Sequence, residues 1–177
     1  YFEVDNIRVN LPRINVMIDS GTTFTHFPTP YIKAILKALN THCSAHKDLC
    51  GRIPNAVFNE ESCLQYKQPD ETYKTVNDLL ASFPDIKVFF GNSNRPYVIA
   101  PKNYFYQEWD ENKNAKEVRL CMALKGEEEG RIILGAFSMI DSYFYFDRKT
   151  RQLKIFKEDC YLRAARLLKK ERLLAEI

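Results

Sequence analysis

Asp19 is the residue whose surroundings in this sequence best fit catalytic chemistry. It follows an apolar run, Val16 to Ile18, that predicts a short buried strand. It opens a turn of small and hydroxyl-bearing residues, Ser20-Gly21-Thr22-Thr23. Glycine permits close backbone approaches there that a Cβ would forbid, and the hydroxyls can hydrogen-bond the carboxylate. The stretch predicts a carboxylate presented at a strand end, although Asp-Ser-Gly also occurs in ordinary turns.

The three histidines offer other candidate sites, which their spacing does not favour. His26 follows the acid within the same stretch, but nothing in the sequence pairs it with a nucleophile, so we interpret it as a wall residue of the turn. His42 and His46 stand near Cys43 and Cys50, but that spacing fits no standard zinc site. The sequence therefore predicts no metal site and no cofactor.

Composition indicates one globular domain, or a domain with a tail. Of 177 residues 45% are apolar, which is enough for a sizeable core, and the net charge is only +3. Lysine and arginine are scattered until the C-terminus, which argues against a nucleic-acid footprint. The sequence has no apolar run of about 18 residues that would span a membrane. Residues 1–4 are typical of a strand interior and not of a signal peptide, so we expect the chain to begin mid-protein.

Cysteine usage favours an oxidising compartment. The sequence contains 5 cysteines, at positions 43, 50, 63, 121 and 160, which is too many for an ordinary cytosolic domain. Metal binding would prefer a Cys-x-x-Cys pair, and the sequence has none. Two disulfides and one leftover cysteine are the better explanation. An odd cysteine predicts a partner elsewhere.

The elements around the Asp19 turn are predicted to be mostly short strands. Strands are expected over residues 1–9, 14–18, 86–91, 97–101, 118–124, 131–137, 143–146 and 152–156, with an acidic turn at 126–130. One helix is expected to run to about residue 41, with Thr29 as its N-cap and Pro30 at its first position. A weaker helix is expected over 71–83. This pattern predicts a mainly β, antiparallel fold with a few helices packed outside.

The last stretch, residues 161–177, changes character. Leucines alternate there with arginines and lysines, which predicts an amphipathic basic helix. Such a helix can lie on a membrane surface, dock on a partner protein or cover the domain. Docking on protein is the preferred interpretation.

Three features, in the same order, resemble the C-terminal lobe of pepsin-like aspartic peptidases. The Asp19 turn is similar to the family's Asp-(Thr/Ser)-Gly-(Thr/Ser) signature, and Ile133-Leu134-Gly135 resembles the hydrophobic-hydrophobic-Gly motif behind each catalytic Asp. Residues 143–156 with Cys160 are similar to the family's last hairpin. The resemblance covers residues 1–160, which we expect to form one lobe of the acid-protease fold, followed by the helical tail 161–177.

The resemblance implies a role for each matching position. Asp19 would be one of two catalytic carboxylates, Thr22 would hydrogen-bond it, and Ser20 would reach the turn of the opposing lobe. Gly21 and Thr23 would offer hydrogen bonds to a substrate backbone. Ile133 would line a primed-side subsite, and Leu134 with Gly135 would form the structural motif.

The resemblance also implies pairings for the cysteines. Cys63 and Cys121 stand where the family places a disulfide within this lobe, which leaves Cys43 with Cys50 as the second pair. Cys160 stands where some membrane-anchored members bond to the first lobe. The phrase from Asp19 to Pro28 is similar to plasmepsin V-like enzymes of protists, which are anchored proteases of the secretory pathway. It implies the endoplasmic reticulum or an extracellular or vacuolar lumen, with membrane association.

In this family each lobe contributes one Asp, and a water between the two carboxylates attacks the peptide. The sequence contains neither a second Asp motif nor a candidate for the substrate-covering flap, so this chain alone is half an active site. The prediction is an aspartic endopeptidase that needs an N-terminal lobe, from the same or a processed chain, and a peptide substrate. The alternatives are a catalytically silent binding or structural module and, least favoured, a homodimer of retroviral type.

Two departures from the family pattern affect these expectations. Ala136 stands where many members with acidic optima carry an Asp, and loss of that carboxylate predicts function nearer neutral pH. The second departure is the basic stretch after Cys160, where anchored members usually continue into an apolar span.

Overall fold

A computed structural model describes residues 1–46, 48–50, 57–67, 72–91, 93–108, 117–128, 130–158 and 163. The chain divides into two compact units, Tyr1–Ser138 and Met139–Ile177. The described strands are β1 Phe2–Val4, β2 Ile7–Val9, β3 Asn15–Asp19, β4 Thr25–Pro28, β5 Cys63–Lys67, β6 Ile86–Val88, β7 Tyr97–Ile99, β8 Phe105–Glu108, β9 Glu117–Met122, β10 Leu124–Glu127, β11 Arg131–Gly135, β12 Ser142–Asp147 and β13 Gln152–Lys157. The described helices are α1 Thr29–Ala45, α2 Val76–Ala81, α3 Ala136–Met139 and a 3₁₀ turn, Pro101–Asn103.

The prediction of a mainly β fold with few helices is confirmed, with one difference in strand direction. The first unit holds an antiparallel sheet in the order β2-β1-β6-β7 and a second antiparallel sheet in the order β5-β9-β8. A third sheet, in the order β10-β4-β11-β3, contains two parallel pairs, β10 with β4 and β11 with β3. The strand that carries Asp19 belongs to this mixed sheet.

The predicted single strand over residues 1–9 is a hairpin. Strands β1 and β2 pair antiparallel, with Phe2 opposite Val9 and Val4 opposite Ile7. The turn lies at Asp5, whose φ is 55°, in the left-handed region that Asp tolerates better than most residues. This turn explains why the apolar alternation changes phase in the middle of the segment.

Helix α1 confirms the predicted 3.6-residue period but not the predicted ends. Its apolar face is buried, with Ile32, Ile35 and Leu39 fully inaccessible. The N-cap is Pro28 and not Thr29, because strand β4 leads directly into the helix. The helix continues to Ala45 because tertiary contacts hold its last turn: His42 meets Asp5, and a disulfide starts from the residue after it.

Helix α2 is shorter than the predicted span over 71–83. A capping box begins it, in which the Thr75 hydroxyl accepts from the Asp78 N–H and the Asp78 carboxylate accepts from the Thr75 N–H. The Ser82 hydroxyl donates to the Leu79 carbonyl as the helix ends. Residue 71 lies outside the described residues.

Two expectations near the mixed sheet are wrong. The predicted acidic turn at 126–130 begins inside strand β10, where the Gly126 N–H donates to the Glu60 carboxylate and Lys125 Nζ donates to the Glu60 carbonyl at 2.7 Å. The predicted strand over 131–137 ends at Gly135. The next two amides leave the strand because they donate to the Asp19 loop, as described below.

The second unit contains the predicted last hairpin. Strands β12 and β13 pair from Ser142 opposite Lys157 to Asp147 opposite Gln152. The Asp147 carboxylate accepts from the N–H groups of Lys149 and Thr150, which closes the turn. The predicted domain boundary after Cys160 and the tail helix over 161–177 lie outside the described residues, except for Arg163. Within the described part, no helix is both long and apolar enough to cross a bilayer.

Candidate active site around Asp19

Asp19 is placed by a parallel strand pair. Strands β3 and β11 run side by side with Met17 opposite Ile133 and Asp19 opposite Gly135. Ile132 and Leu134 are buried, which anchors β11 in the core. Because alternate residues of a strand face opposite sides, Met17, Asp19, Ile133 and Gly135 belong to one face of this sheet.

The loop after Asp19 folds across the end of β11. The Ala136 N–H donates to the Thr22 carbonyl at 2.7 Å, and the Phe137 N–H donates to the Thr23 carbonyl at 3.0 Å. The Gly135 N–H donates to the Thr25 hydroxyl at 3.2 Å. These three bonds connect the two motifs that the sequence analysis paired, although they are more than a hundred positions apart.

Gly135 is required by the close approach of that loop. A Cβ at this position would lie 2.1 Å from the Phe24 carbonyl oxygen and 2.9 Å from the Thr22 carbonyl oxygen. Both neighbours are backbone atoms, which cannot move aside as a flexible side chain can. The glycine of the motif is therefore a packing requirement of the site's loop.

Both oxygens of the Asp19 carboxylate accept hydrogen bonds. The Thr22 hydroxyl donates to Oδ2 at 2.7 Å, and the Gly21 N–H donates to Oδ1 at 2.9 Å. The Thr22 bond, followed by the Gly21 bond, lowers the pKa of Asp19 below its ordinary value because both bonds stabilise the charged form. The side chain stays partly exposed. The arrangement is a pre-oriented, ionised carboxylate that an approaching molecule can reach.

The other predicted site residues surround this carboxylate. Ser20, Gly21 and Thr23 are exposed in the turn. Since the Gly21 N–H is already used by Asp19, the group that Gly21 can offer to a substrate is its carbonyl. Ile133 is partly exposed on the Asp19 face, and Leu134 is fully buried beneath it.

Two features of the site were not anticipated from the sequence. Met17 is 38% exposed on the Asp19 face, so the prediction of a buried strand over residues 16–18 is wrong, and every residue of β3 is partly or largely exposed. Phe24, Tyr106 and Phe137 form an aromatic cluster under the loop, with ring centroids 4.9 Å apart for Phe24 and Tyr106. No local pattern could have found this cluster, because its members come from three separate segments.

His26 lies beside the site with an acidic partner. It pairs with Ile133 in the register of β4 with β11, and its Nδ1 lies 3.4 Å from Oε2 of Glu127. The interpretation of His26 as a wall residue stays a prediction. Its partner Glu127 follows from the parallel pairing of β10 with β4.

Both predicted disulfides are present. Cys63 and Cys121 lie opposite each other in the β5–β9 register and are bonded, and Cys43 is bonded to Cys50. Disulfides form and persist in oxidising compartments, so they indicate an extracytoplasmic location. The bond between Cys43 and Cys50 also removes both sulfurs as metal ligands beside His42 and His46. Cys160 lies outside the described residues.

The fold and the Asp19 site define the C-terminal lobe of a pepsin-like protein. The chain belongs to the family described as xylanase inhibitor C-terminal, whose profile matches residues 3–157.

Two characterised relatives are distantly similar. The chain is 21% identical over 148 residues to a beta-secretase of Strongylocentrotus purpuratus, with 81% of this chain and 26% of that protein covered. It is 20% identical over 172 residues to plasmepsin V of Plasmodium falciparum isolate 3D7, with 83% and 27% covered. The chain therefore spans about a quarter of the length of these relatives.

Proposed function

We propose that this chain is half of an aspartic endopeptidase, in which Asp19 is one of two carboxylates that activate a water for peptide-bond hydrolysis. The observation that carries the proposal is the carboxylate itself. Both of its oxygens are held by donors, at 2.7 and 2.9 Å, while the side chain stays partly exposed at a strand end. The Asp147 turn holds a carboxylate in a similar way, so the proposal also depends on the position of Asp19 opposite Gly135 of the second family motif.

The second carboxylate belongs to the proposal for an electrostatic reason. The pKa of Asp19 lies below its ordinary value in this lobe, and a general base is most effective when its pKa is near the working pH. A second carboxylate close to Asp19 would raise one of the two pKa values and allow a shared proton. The dyad would then deprotonate the water while one carboxyl protonates the developing oxyanion or the leaving amine.

Substrate contacts are proposed for the open face of the mixed sheet. Met17 and Ile133 supply apolar surface beside Asp19, and Ile133 matches the predicted primed-side subsite. Thr23 and the Gly21 carbonyl are exposed where an extended peptide backbone would pass. Ser20 is exposed at the tip of the turn, which supports its proposed contact with the turn of an opposing lobe.

A partner lobe is supported by the apolar surface of the last hairpin. Tyr143 and Tyr145 are 47% and 44% exposed, and Phe156, which lies opposite Tyr143 on the same face of the hairpin, is 52% exposed. Exposed apolar groups that are close together mark interaction surfaces. We propose that the N-terminal lobe covers part of this surface, that a Cys160 disulfide joins it, and that residues 161–177 dock on protein.

We place the protein in the secretory pathway, in the lumen of the endoplasmic reticulum, in the lumen of a vacuole or outside the cell. The two disulfides support this placement. The likeness of the Asp19 phrase to plasmepsin V-like enzymes supports a protist source and membrane association. The relative from Strongylocentrotus purpuratus is matched at a similar identity, so the source stays a prediction.

The test starts with the intact mass of the native protein under reducing and non-reducing conditions, which identifies a disulfide-linked lobe. The two-lobe protein is then assayed on a peptide library with two matched variants, Asp19→Asn and Asp147→Asn. Asp147 is also a partly exposed carboxylate whose pKa is lowered by turn hydrogen bonds. We expect Asp19→Asn to lower kcat by about 10²–10⁴-fold, and Asp147→Asn to leave it unchanged. Equal activity of wild type and Asp19→Asn would refute the role of Asp19.

The second candidate is a catalytically silent module that binds another protein. The observation in its favour is the matched family, which is described by inhibition of xylanase and not by proteolysis. An assembled two-lobe protein that cleaves no peptide and does not bind pepstatin would support this candidate. Protein capture that survives Asp19→Asn would then be expected, because the carboxylate has no role in it.

A further inference from the structure

A second polar cluster lies at the C-terminal end of α1. It is formed by Asp5, His42 and His46, each of which offers one ligand atom, and these atoms lie within 4.8 Å of one another. Asp5 belongs to the β1–β2 turn, whereas the histidines belong to the last turn of α1 and its C-cap. Two distant segments therefore bring metal-binding groups to one point.

The helix and the turn position these groups. His42 and His46 are four residues apart, so they follow one another on the same side of the helix, and their ring centroids are 4.7 Å apart. The Asp5 carboxylate Oδ2 lies 3.0 Å from Nδ1 of His42. The positive φ of Asp5 fixes the turn that brings its carboxylate to the helix.

His42 brings one ring nitrogen to the cluster. The residue is 8% exposed, and its Nδ1 faces the Asp5 carboxylate at 3.0 Å. An ion shared by Asp5 and His42 would therefore bind at Nδ1, on a ring whose orientation is held by burial. The other nitrogen, Nε2, lies on the far side of the ring, so its lack of a hydrogen-bond partner among the described residues does not bear on this site.

The donor set selects the class of cation. Two imidazoles and one carboxylate suit Zn²⁺, whereas Mg²⁺ and Ca²⁺ prefer sets composed of oxygen alone. Zn²⁺ has no redox chemistry, which is compatible with a compartment that keeps the Cys43–Cys50 bond oxidised. His46 is exposed, so a water can complete a tetrahedral site.

We propose that Asp5, His42 and His46 bind Zn²⁺, with one ring nitrogen from each histidine and one carboxylate oxygen from Asp5. The ion joins the β1–β2 turn to the end of α1, beside the Cys43–Cys50 loop. The ligands belong to elements other than the strands that present Asp19, so binding does not depend on the proposed peptidase activity. The spacing of the histidines along the chain did not indicate a site here, because it does not reveal Asp5.

The test is a zinc titration of the whole chain by calorimetry, after alkylation of any free thiol with the disulfides intact, so that Cys160 cannot bind the metal. Wild type is compared with His46→Ala, Asp5→Asn and a matched control, His26→Ala. His26 is the histidine of the chain that lies outside this cluster, and its ring is next to Glu127. His46→Ala is the main variant because His46 is exposed and its loss is not expected to disturb folding.

We expect one Zn²⁺ per chain, binding weakened by at least about tenfold in His46→Ala and Asp5→Asn, and wild-type binding in His26→Ala. Zinc should raise the unfolding temperature of wild type and of His26→Ala, but not of His46→Ala. Mg²⁺ should give no heat of binding. Absence of zinc binding by wild type, or equal zinc affinity of wild type and His46→Ala, would overturn the proposal.

Discussion

At the residue scale, the state of Asp19 depends on two neighbours within three positions of it in the chain. The Thr22 hydroxyl and the Gly21 N–H each donate to a different carboxylate oxygen. Both bonds are strongest when the carboxylate is charged. The lobe alone therefore holds this group as an anion, and a second carboxylate is needed before one proton can be shared.

The first prediction concerns this hydrogen bond. Thr22→Val should raise the pKa of Asp19 towards its ordinary value of 3.8, because the larger of the two stabilising bonds is lost. Thr150→Val is the matched control: it removes the main stabilising bond of Asp147 and should raise the pKa of Asp147 alone. Both pKa values can be followed in one NMR titration of the side-chain carboxyl carbons.

The sign of the linked stability effect follows from the direction of the shift. A carboxyl whose folded pKa is depressed stabilises the folded state above its unfolded pKa, here 3.8, and that contribution is lost as the pH falls through the folded pKa. Thr22→Val should therefore make stability depend less on pH below that value. An unchanged Asp19 titration in Thr22→Val would contradict the assignment.

At the element scale, the site depends on the contact between the end of β11 and the β3–β4 loop. The bonds from Ala136 and Phe137 to the loop carbonyls can form only if nothing separates the two backbones. Gly135 has no side chain, so the two backbones can approach each other there. The same bonds explain why the strand ends two residues before the apolar run does.

The second prediction tests this contact. Gly135→Ala should destabilise the fold by about 3 kcal/mol or more, because its Cβ would overlap backbone atoms. That corresponds to a fall in unfolding temperature of roughly 6–12 °C. Gly130→Ala is the control, because a Cβ there meets nothing within 4 Å, and it should change stability by less than about 0.5 kcal/mol. Similar unfolding temperatures for the two variants would refute the packing explanation.

Element ends also show where local patterns stop being informative. The apolar period of α1 was readable because Ile32, Ile35 and Leu39 all face the core. Its end was not readable, because the last turn is held by Asp5 from another hairpin. The start of α2 has a local signal, Thr75 followed by Asp78 three positions later, which a search for capping boxes would have found.

At the scale of the whole molecule, two covalent links restrain the unfolded chain to different extents. Cys63–Cys121 spans 58 positions and joins neighbouring strands, whereas Cys43–Cys50 spans 7 positions at the end of one helix. The entropy that a crosslink removes from the unfolded state grows with the logarithm of the loop length. The longer link should therefore stabilise the fold more.

The third prediction compares the two links. Cys63→Ala/Cys121→Ala should lower the free energy of unfolding by about 4 kcal/mol, and Cys43→Ala/Cys50→Ala by about 2 kcal/mol. Each pair has one cysteine that is 2% exposed, so the lost packing is similar in the two variants. Urea unfolding of both double variants without reductant measures the difference. Equal costs, or the reverse order, would contradict the loop-length argument.

Local sequence was sufficient for the turn that carries Asp19, the apolar face of α1, the last hairpin and the mainly β class. Each of these depends on neighbours within a few positions, so residue types and their period carry the information. The family resemblance that rests on the Asp19 and Gly135 motifs also predicted both disulfides, because it pairs Cys63 with Cys121 and leaves Cys43 with Cys50.

Tertiary structure alone decided what distant segments do together. The parallel pairing of β3 with β11 places Met17 and Ile133 beside Asp19, the aromatic cluster of Phe24, Tyr106 and Phe137 forms under the loop, and Asp5 meets His42. No local period encodes these contacts, because they depend on strand register and on the path of the chain between elements. A site that one turn forms could therefore be predicted from the sequence. A site that several segments form together could be identified only from the folded chain.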